Sequence, residues 1–227
     1  MNKKIRQYIP NSLTFISLGC GIVSIVLSSQ NNIFQAGLLI LVSLIFDILD
    51  GFSARKLNAV TQFGLQLDSL SDMVSFGIAP LLLIIHHLEP RGSFSFWLLP
   101  LIILPIWAGA FRLARFNLQT PKQSYHDSLG LTITQSGIIL SLTVLSDLSY
   151  VNYSLPLSIY IILLLILSYL MISKLRFPIS PWYLPSKKFI LIYCIIGVGL
   201  ISFSSIFASI LIISLGSLAI SIIRNVF

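Results

Sequence analysis

The chain alternates long apolar runs with short polar turns. An α-helix needs about 20 mostly apolar residues to cross a bilayer. Eight runs approach that length, at about residues 10–28, 33–55, 63–86, 94–116, 130–148, 156–174, 188–205 and 207–225. The turns between them contain asparagine, proline, glycine and serine, which interrupt helices. The pattern predicts an all-α, polytopic bundle of membrane helices, in which the last two runs could instead form a re-entrant pair.

Composition supports this prediction. Of the 227 residues, 56% are hydrophobic and only 9% are charged, whereas a soluble domain carries about 25% charged residues. The basic start, Met1 to Arg6, resembles that of a signal peptide. No small-residue cleavage site follows at the usual distance, so we expect the first helix to be retained.

The basic residues predict the orientation. If the N-terminus is cytoplasmic, 13 of the 14 lysines and arginines fall on the cytoplasmic side, with Arg91 as the exception. Such asymmetry is typical of membrane proteins, and it predicts an even number of spans with both termini inside the cell. Topology and contact with anionic lipid headgroups account for the net charge of +7. A nucleic-acid partner is not indicated.

An acidic stretch interrupts the apolar pattern. Asp47, Asp50, Asp68 and Asp72, four of the seven acidic residues, lie within 26 residues of predicted membrane helix. Each carboxylate costs about 2.5–3.5 kcal/mol at the centre of a bilayer, so four unpaired ones would cost on the order of 10 kcal/mol. Arginines near enough to pair with them are fewer than the aspartates. Bound cations, water or both are therefore expected to compensate the charge.

The spacing of these aspartates predicts a common site. Asp47 and Asp50 are three residues apart and Asp68 and Asp72 are four apart, so each pair shares one face of its helix. The two helices are antiparallel across a short turn, which brings all four carboxylates to a similar depth near the cytoplasmic leaflet. Helical bundles build two-cation sites in this way, and all-oxygen ligands favour Mg²⁺, Mn²⁺ or Ca²⁺.

A divalent-cation transporter is the alternative from a different functional class, because intramembrane carboxylates also line ion pathways. Two features of the sequence argue against it. The aspartates lie near one leaflet instead of the midplane, and no inverted repeat supplies a second half.

The acidic stretch also carries a specific motif. It reads Asp47-x-x-Asp50-Gly51-x-x-Ala54-Arg55, then eight residues, then Gly64-x-x-x-Asp68-x-x-x-Asp72. The chain thereby resembles the CDP-alcohol phosphotransferase family at every fixed position of its signature. Three flanking segments, Pro10 to Thr14, Ser75 to Pro80 and Arg112 to Asn117, are similar to the integral-membrane type of phosphatidylserine synthase within that family.

The resemblance implies a six-helix catalytic core over residues 1–176, a helix pair over residues 177–227, one membrane domain overall and a homodimer. It implies an enzyme that transfers a phosphatidyl group from CDP-diacylglycerol to an alcohol, releases CMP and uses two divalent cations, Mg²⁺ or Mn²⁺. Serine is the acceptor that the flanking segments favour. Inositol phosphate, glycerol phosphate and an archaeal ether-lipid donor are the alternatives.

The resemblance also implies roles for individual residues. Asp47, Asp50 and Asp68 would bind metal, with Asp72 completing the site and serving as the general base. The residues expected to bind the CDP-lipid are Asn11, Thr14, Asp50, Gly51, Ala54, Arg55 and Gly64. The residues expected to bind the acceptor are Arg112, Arg115 and Asn117. The residues alone leave simpler roles open, namely helix capping at Asn11 and Thr14, helix packing at the glycines and interfacial charge at the arginines.

One segment departs from the family pattern. The family usually continues from its arginine element with Gly-Leu-Pro and small residues, but this chain has Thr132 in place of proline and Gln135 within the small-residue run. We expect this difference to affect the acceptor more than the reaction class.

Two groups of polar residues lie outside the motif. His86 and His87 fall at the predicted outer interface and receive no role. His126 and Asp127 lie in a polar loop. They are either solvated loop residues or residues that contact the acceptor's amine or cover the site.

Overall fold

Helices follow the apolar runs of the sequence. The computed structural model of the chain describes residues 3–93, 95–118, 127–149, 154–178 and 206–226. Its helices are α1 (Lys3–Ser29), α2 (Ile33–Lys56), α3 (Gln62–Asp72), α4 (Ala79–Leu88), α5 (Leu99–Asn117), α6 (Ile133–Ser149), α7 (Leu157–Ile172) and α8 (Ile206–Val226). Single 3₁₀ turns occur at Glu89–Arg91 and Phe96–Leu98. The predicted run at residues 188–205 lies outside the described residues.

Within the residues that the structure describes, four helical segments are long and apolar enough to cross a membrane. They are Arg6–Ser29, Ile33–Lys56, Gln62–Arg91 and Phe96–Asn117. Helices α6 and α7 are shorter, with 17 and 16 residues. Large apolar side chains such as Phe15, Ile45 and Trp107 are exposed on the outside of the bundle, as expected where lipid is the solvent. The predicted all-α membrane bundle is confirmed.

The third span is a composite helix. A π-helical segment, Met73–Ile78, joins α3 to α4. Short π-helical segments inside α-helices frequently occur at functional sites. The segment begins directly after Asp72, so it separates the acidic half of this span from the apolar half.

Serine side chains join α1 to α2. The hydroxyls of Ser17 and Ser43 lie 2.8 Å apart, and each also donates to the other residue's backbone carbonyl at 3.0 Å. Further along, Ser24 donates to the carbonyl of Ala36 at 2.8 Å. Small residues allow helix backbones to approach closely in a membrane, where no hydrophobic force drives helices together.

Helix α6 lies at the centre of the bundle. Every residue from Ser136 to Asp147 is buried. It contacts α2, α4, the π-helical segment and α8. This central position places the start of α6 beside the end of α3, where the acidic stretch finishes.

A short antiparallel ribbon adds to the helices. Strand β1 (Asp127–Leu129) pairs with β2 (Arg176–Pro178), with Ser128 opposite Phe177. The apolar pattern did not predict this ribbon because three-residue strands carry no usable periodicity. It places part of the predicted polar loop, Asp127, next to the end of α7.

A buried carboxylate joins the helices at the end of the bundle away from the motif aspartates, which we call the distal end. Oδ2 of Asp147 accepts hydrogen bonds from His87 at 2.7 Å, Arg91 at 2.7 Å and Tyr160 at 2.8 Å. Oδ1 accepts from the backbone N–H of Leu155 at 2.7 Å. Sequence analysis gave His87 no role, but the structure places it in this distal network.

Replacing Asp147 by asparagine is expected to destabilise the protein. An amide offers one acceptor oxygen where four donors converge, and removing one partner of a buried ionic network costs about 3 kcal/mol or more. The melting temperature in detergent should fall by roughly 5–10 °C. Glu89→Gln, which removes an exposed carboxylate at the same end, is the control. Equal melting temperatures for the two variants would contradict a stabilising role for the network.

Candidate active site

A tight turn brings the two acidic helices together. Asn58 adopts a left-handed conformation, with φ of 49°, which asparagine tolerates better than most residues. Thr61 caps α3 by accepting a hydrogen bond from the N–H of Gly64 at 3.0 Å. The chain therefore reverses direction within a few residues, and the aspartates of α2 face those of α3.

Three of the four aspartates form a compact oxygen set. One carboxylate oxygen from each of Asp47, Asp50 and Asp68 lies within 4.8 Å of the other two. Such a set fits hard divalent cations, which take carboxylate oxygens as ligands. The spacing of the motif in the sequence therefore corresponds to a real convergence in space, and these three residues could hold a metal.

Asp72 lies beside this set but is not part of it. Its carboxylate is close to those of Asp47 and Asp68, and the residue is only 8% exposed. Oδ2 accepts a long hydrogen bond of 3.5 Å from Thr134 on α6. Oδ1 is buried and has no hydrogen-bond partner among the described residues. A buried acceptor without a partner is rare in proteins and calls for an explanation such as a catalytic role.

The residues expected to bind the CDP-lipid surround the oxygen set. Thr14 on α1 donates to Oδ2 of Asp50 at 2.7 Å. A Cβ on Gly64 would lie 3.2 Å from Oδ1 of Asn11, so α1 closely approaches the start of α3. Asn11 and Thr14 both lie inside α1, which begins at Lys3, so neither caps that helix. The structure thus joins the Asn11–Thr14 segment to the aspartate site, although these residues lie far from the motif in sequence.

On α2, the small residues of the motif lie beside the arginine. A Cβ on Gly51 would lie 3.4 Å from Nη1 of Arg55, so the guanidinium folds back along the helix over Gly51. Ala54 is half-buried next to it. Arg55 itself is exposed, which leaves its charge available at the rim of the site.

The two arginines of α5 have different surroundings. Arg112 is only 6% exposed and lies near enough to Asp72 and Asp68 to interact with their charges. Its guanidinium carbon lies 5.4 Å from the centre of the Phe116 ring. Its Nε is buried and unpartnered in the part of the chain that the structure describes. Arg112 therefore presents an unused donor beside the aspartates.

Arg115 instead binds backbone carbonyls. Its guanidinium donates to Leu129, Met171, Ile172 and Ser173. The last carbonyls of a helix have no partner within the helix, so Arg115 caps the end of α7 and ties it to β1. These donors face the backbone and not the aspartates.

Asn117, the third residue expected to bind the acceptor, lies at the exposed end of α5. Its amide donates to Ser69 at 3.1 Å and to Gln66 at 3.4 Å, both on α3. The structure thus places Asn117 next to the acidic helix, where it joins α5 to α3.

The departure from the family pattern forms a helix cap. The hydroxyl of Thr132 accepts from the N–H of Gln135 at 3.1 Å, and the side-chain oxygen of Gln135 accepts from the N–H of Thr132 at 3.5 Å. This reciprocal arrangement is a capping box, whose sequence signature is Thr-x-x-Gln. The signature is visible in the sequence, and the structure shows that these two residues cap α6, in addition to any effect on the acceptor. Thr134, between the two capping residues, was missed.

Nearly the whole chain matches a known family. A family model described as CDP-alcohol phosphatidyltransferase matches residues 7–223. The chain belongs to this family. The match confirms the resemblance expected from the aspartate motif and makes the chain a transferase of the CDP-alcohol phosphatidyltransferase class, which is embedded in the membrane.

Curated members of the family are similar over most of their length. The CDP-diacylglycerol–serine O-phosphatidyltransferase of Helicobacter pylori is 31% identical over 175 residues, which cover 74% of this chain and 71% of the relative. The protein of the same name from Bacillus subtilis is 34% identical over 177 residues, covering 76% and 90%. The archaetidylserine synthase of Methanothermobacter thermautotrophicus is 33% identical over 181 residues, covering 78% and 73%.

Proposed function

We propose that this enzyme transfers a phosphatidyl group from CDP-diacylglycerol to L-serine and releases CMP. The observation that carries the proposal is a pair of buried, unused groups in one site, the acceptor Oδ1 of Asp72 and the donor Nε of Arg112. Serine brings the complementary groups, a hydroxyl that can donate and a carboxylate that can accept. The names of the relatives from Helicobacter pylori and Bacillus subtilis support the same acceptor.

Each group has a defined task in the reaction. Arg112 binds the serine carboxylate, because arginine suits planar, charge-assisted recognition of carboxylates. Oδ1 of Asp72 accepts the proton of the serine hydroxyl as the hydroxyl oxygen attacks the phosphorus that carries the diacylglycerol. The bond from that phosphorus to the CMP oxygen breaks, and CMP leaves with the electron pair.

The aspartate set would hold the cations that this chemistry needs. We propose that Asp47, Asp50 and Asp68 bind two divalent ions, Mg²⁺ or Mn²⁺. When bound, such ions neutralise phosphate charge and orient an in-line displacement. The donor set supports this proposal, because it consists only of carboxylate oxygens.

The remaining parts of the site would receive the CDP-lipid. Asn11, Thr14 and Gly64 lie at the close approach between α1 and α3, and they would contact the nucleotide there. Arg55 at the rim would contact the diphosphate, and Gly51 and Ala54 leave room beside it. The relative from Methanothermobacter thermautotrophicus, named archaetidylserine synthase, supports an ether-lipid donor as the second candidate.

We place the site at the cytoplasmic leaflet, since 13 of the 14 basic residues fall on that side in the expected topology. A homodimer, with the whole chain forming one membrane domain, is part of the same proposal and rests on the family resemblance.

The test is CMP release by purified protein in detergent. CDP-diacylglycerol, Mn²⁺ and serine should together give CMP, and chelation by EDTA should reduce release to background because the carboxylates would lose the ions between them. Inositol phosphate and glycerol phosphate, supplied in parallel, should give little. Release with either of these instead of serine would overturn the acceptor, and no release with any acceptor or with an ether-lipid donor would overturn the reaction.

A further inference from the structure

We propose that Thr134 is a positioning residue that holds Asp72 in its reactive orientation, an inference that rests on the proposed role of Asp72 as the base. The Thr134 hydroxyl donates to Oδ2 of Asp72 at 3.5 Å. The other oxygen, Oδ1, is the one without a partner among the described residues. Anchoring one oxygen of a carboxylate fixes the direction in which the other points.

The length of this hydrogen bond suits such a role. At 3.5 Å it is longer than a strong O–H···O bond. Catalytic hydrogen bonds are often long before substrates bind and shorten in the reactive complex. Oδ2 would then be held by Thr134 while Oδ1 takes the proton of the acceptor.

The capping box gives Thr134 a fixed position. Thr132 and Gln135 bond to each other across the first turn of α6, and Thr134 lies inside that turn. The N-terminal turn of a helix also carries a partial positive charge that favours a nearby carboxylate. The local departure from the family pattern therefore places a hydroxyl, held by a closed turn, beside the base.

Close backbone packing fixes the distance between the two elements. Gly137 on α6 lies against the backbone of Phe76, four residues after Asp72, and a Cβ on Gly137 would lie 2.8 Å from Cα of Phe76. No side chain fits between the helices there. The start of α6 therefore keeps its register against the π-helical segment, and Thr134 keeps its place opposite Asp72.

The test compares three threonine variants. Thr134→Val, which keeps the shape and removes the hydroxyl, should lower kcat about 10-fold to 100-fold with little change in KM for serine or CDP-diacylglycerol. Thr134→Ser should restore kcat to within roughly 3-fold of the native value, because it retains the hydroxyl. Thr143→Val is the matched control on the same helix, because its hydroxyl donates only to the Ile139 carbonyl, at 2.8 Å.

Two further measurements separate positioning from other roles. Mn²⁺ binding, followed by electron paramagnetic resonance, should be unchanged in Thr134→Val, because the Thr134 hydroxyl donates to Asp72, which is not a member of the three-aspartate set. In an Asp72→Asn background, Thr134→Val should have no further effect on the residual rate, since the two residues act as a unit.

Three results would overturn the inference: an unchanged kcat in Thr134→Val, loss of Mn²⁺ binding in that variant, or an additive effect in the double variant. If Thr134→Val fails to fold, the test rests on Thr134→Ser, and a lowered kcat in that variant would overturn the inference. The comparison uses whichever acceptor the native enzyme accepts. A different acceptor would therefore overturn the proposed function and leave this inference to be decided by the variants.

Discussion

Replacing Asp72 by asparagine is expected to lower kcat for CMP release about 1,000-fold, within the range that general base catalysis contributes. The amide has nearly the same shape but cannot accept the proton of the acceptor hydroxyl. Because Asp72 lies beside the three-aspartate set and not within it, Mn²⁺ binding should be largely retained. Parallel measurements of CMP release, Mn²⁺ binding and melting temperature would check each part of this expectation.

Asp50→Asn provides the contrast. Asp50 belongs to the oxygen set, so this variant should lose both Mn²⁺ binding and activity, whereas Asp72→Asn should lose activity alone. If both variants lost Mn²⁺ binding equally, Asp72 would be a metal ligand, and the expectation that it acts only as the base beside the set would be wrong.

Replacing Arg112 by glutamine should raise KM for serine about 100-fold, because the substrate carboxylate would lose a charge-assisted partner in a buried site. KM for CDP-diacylglycerol should change little. Arg112→Lys should give an intermediate effect, since lysine keeps the charge but not the planar geometry. Steady-state rates over a range of serine concentrations would measure the change.

Arg115→Gln is the matched control for this prediction. The residue lies three positions away on the same helix, but its donors face the carbonyls at the end of α7. We expect a lower melting temperature and a nearly native KM for serine. If Arg115→Gln raised KM for serine and Arg112→Gln did not, the roles assigned to the two arginines would be reversed.

The sequence was sufficient to predict the helix bundle and the convergence of the aspartates in space. Apolar runs of membrane length indicate helices directly, and spacings of three and four residues place each pair of carboxylates on one helix face. Because the turn between the two helices is short, few arrangements of one helix relative to the other are possible. Asp47, Asp50 and Asp68 converge in the structure for these reasons.

The different surroundings of the two arginines could not be predicted in this way. Arg112 and Arg115 look equivalent in the sequence, with similar spacing and depth. Their difference arises because the carbonyls at the end of α7, more than 50 residues later, approach Arg115 and not Arg112. A tertiary contact of this kind leaves no periodic signal.

The distal network was missed for a related reason. Asp147 lies near the end of a helix that is otherwise apolar, and its partners come from α4, the following 3₁₀ turn, a connecting segment and α7. Nothing in the local sequence links these residues. The aspartates of the motif were found because they occur together, whereas Asp147 stands alone.

The distal network has a mechanical consequence for α4 and α6. The composite third span contacts α6 at two levels, through Asp72 and Thr134 near its start and through His87 and Asp147 near its end. Two helical segments that are hydrogen-bonded at both ends cannot slide or rotate past each other without breaking one of these contacts. We therefore expect this pair to move as one unit, and any opening that admits a lipid from the bilayer to come from the helices around it.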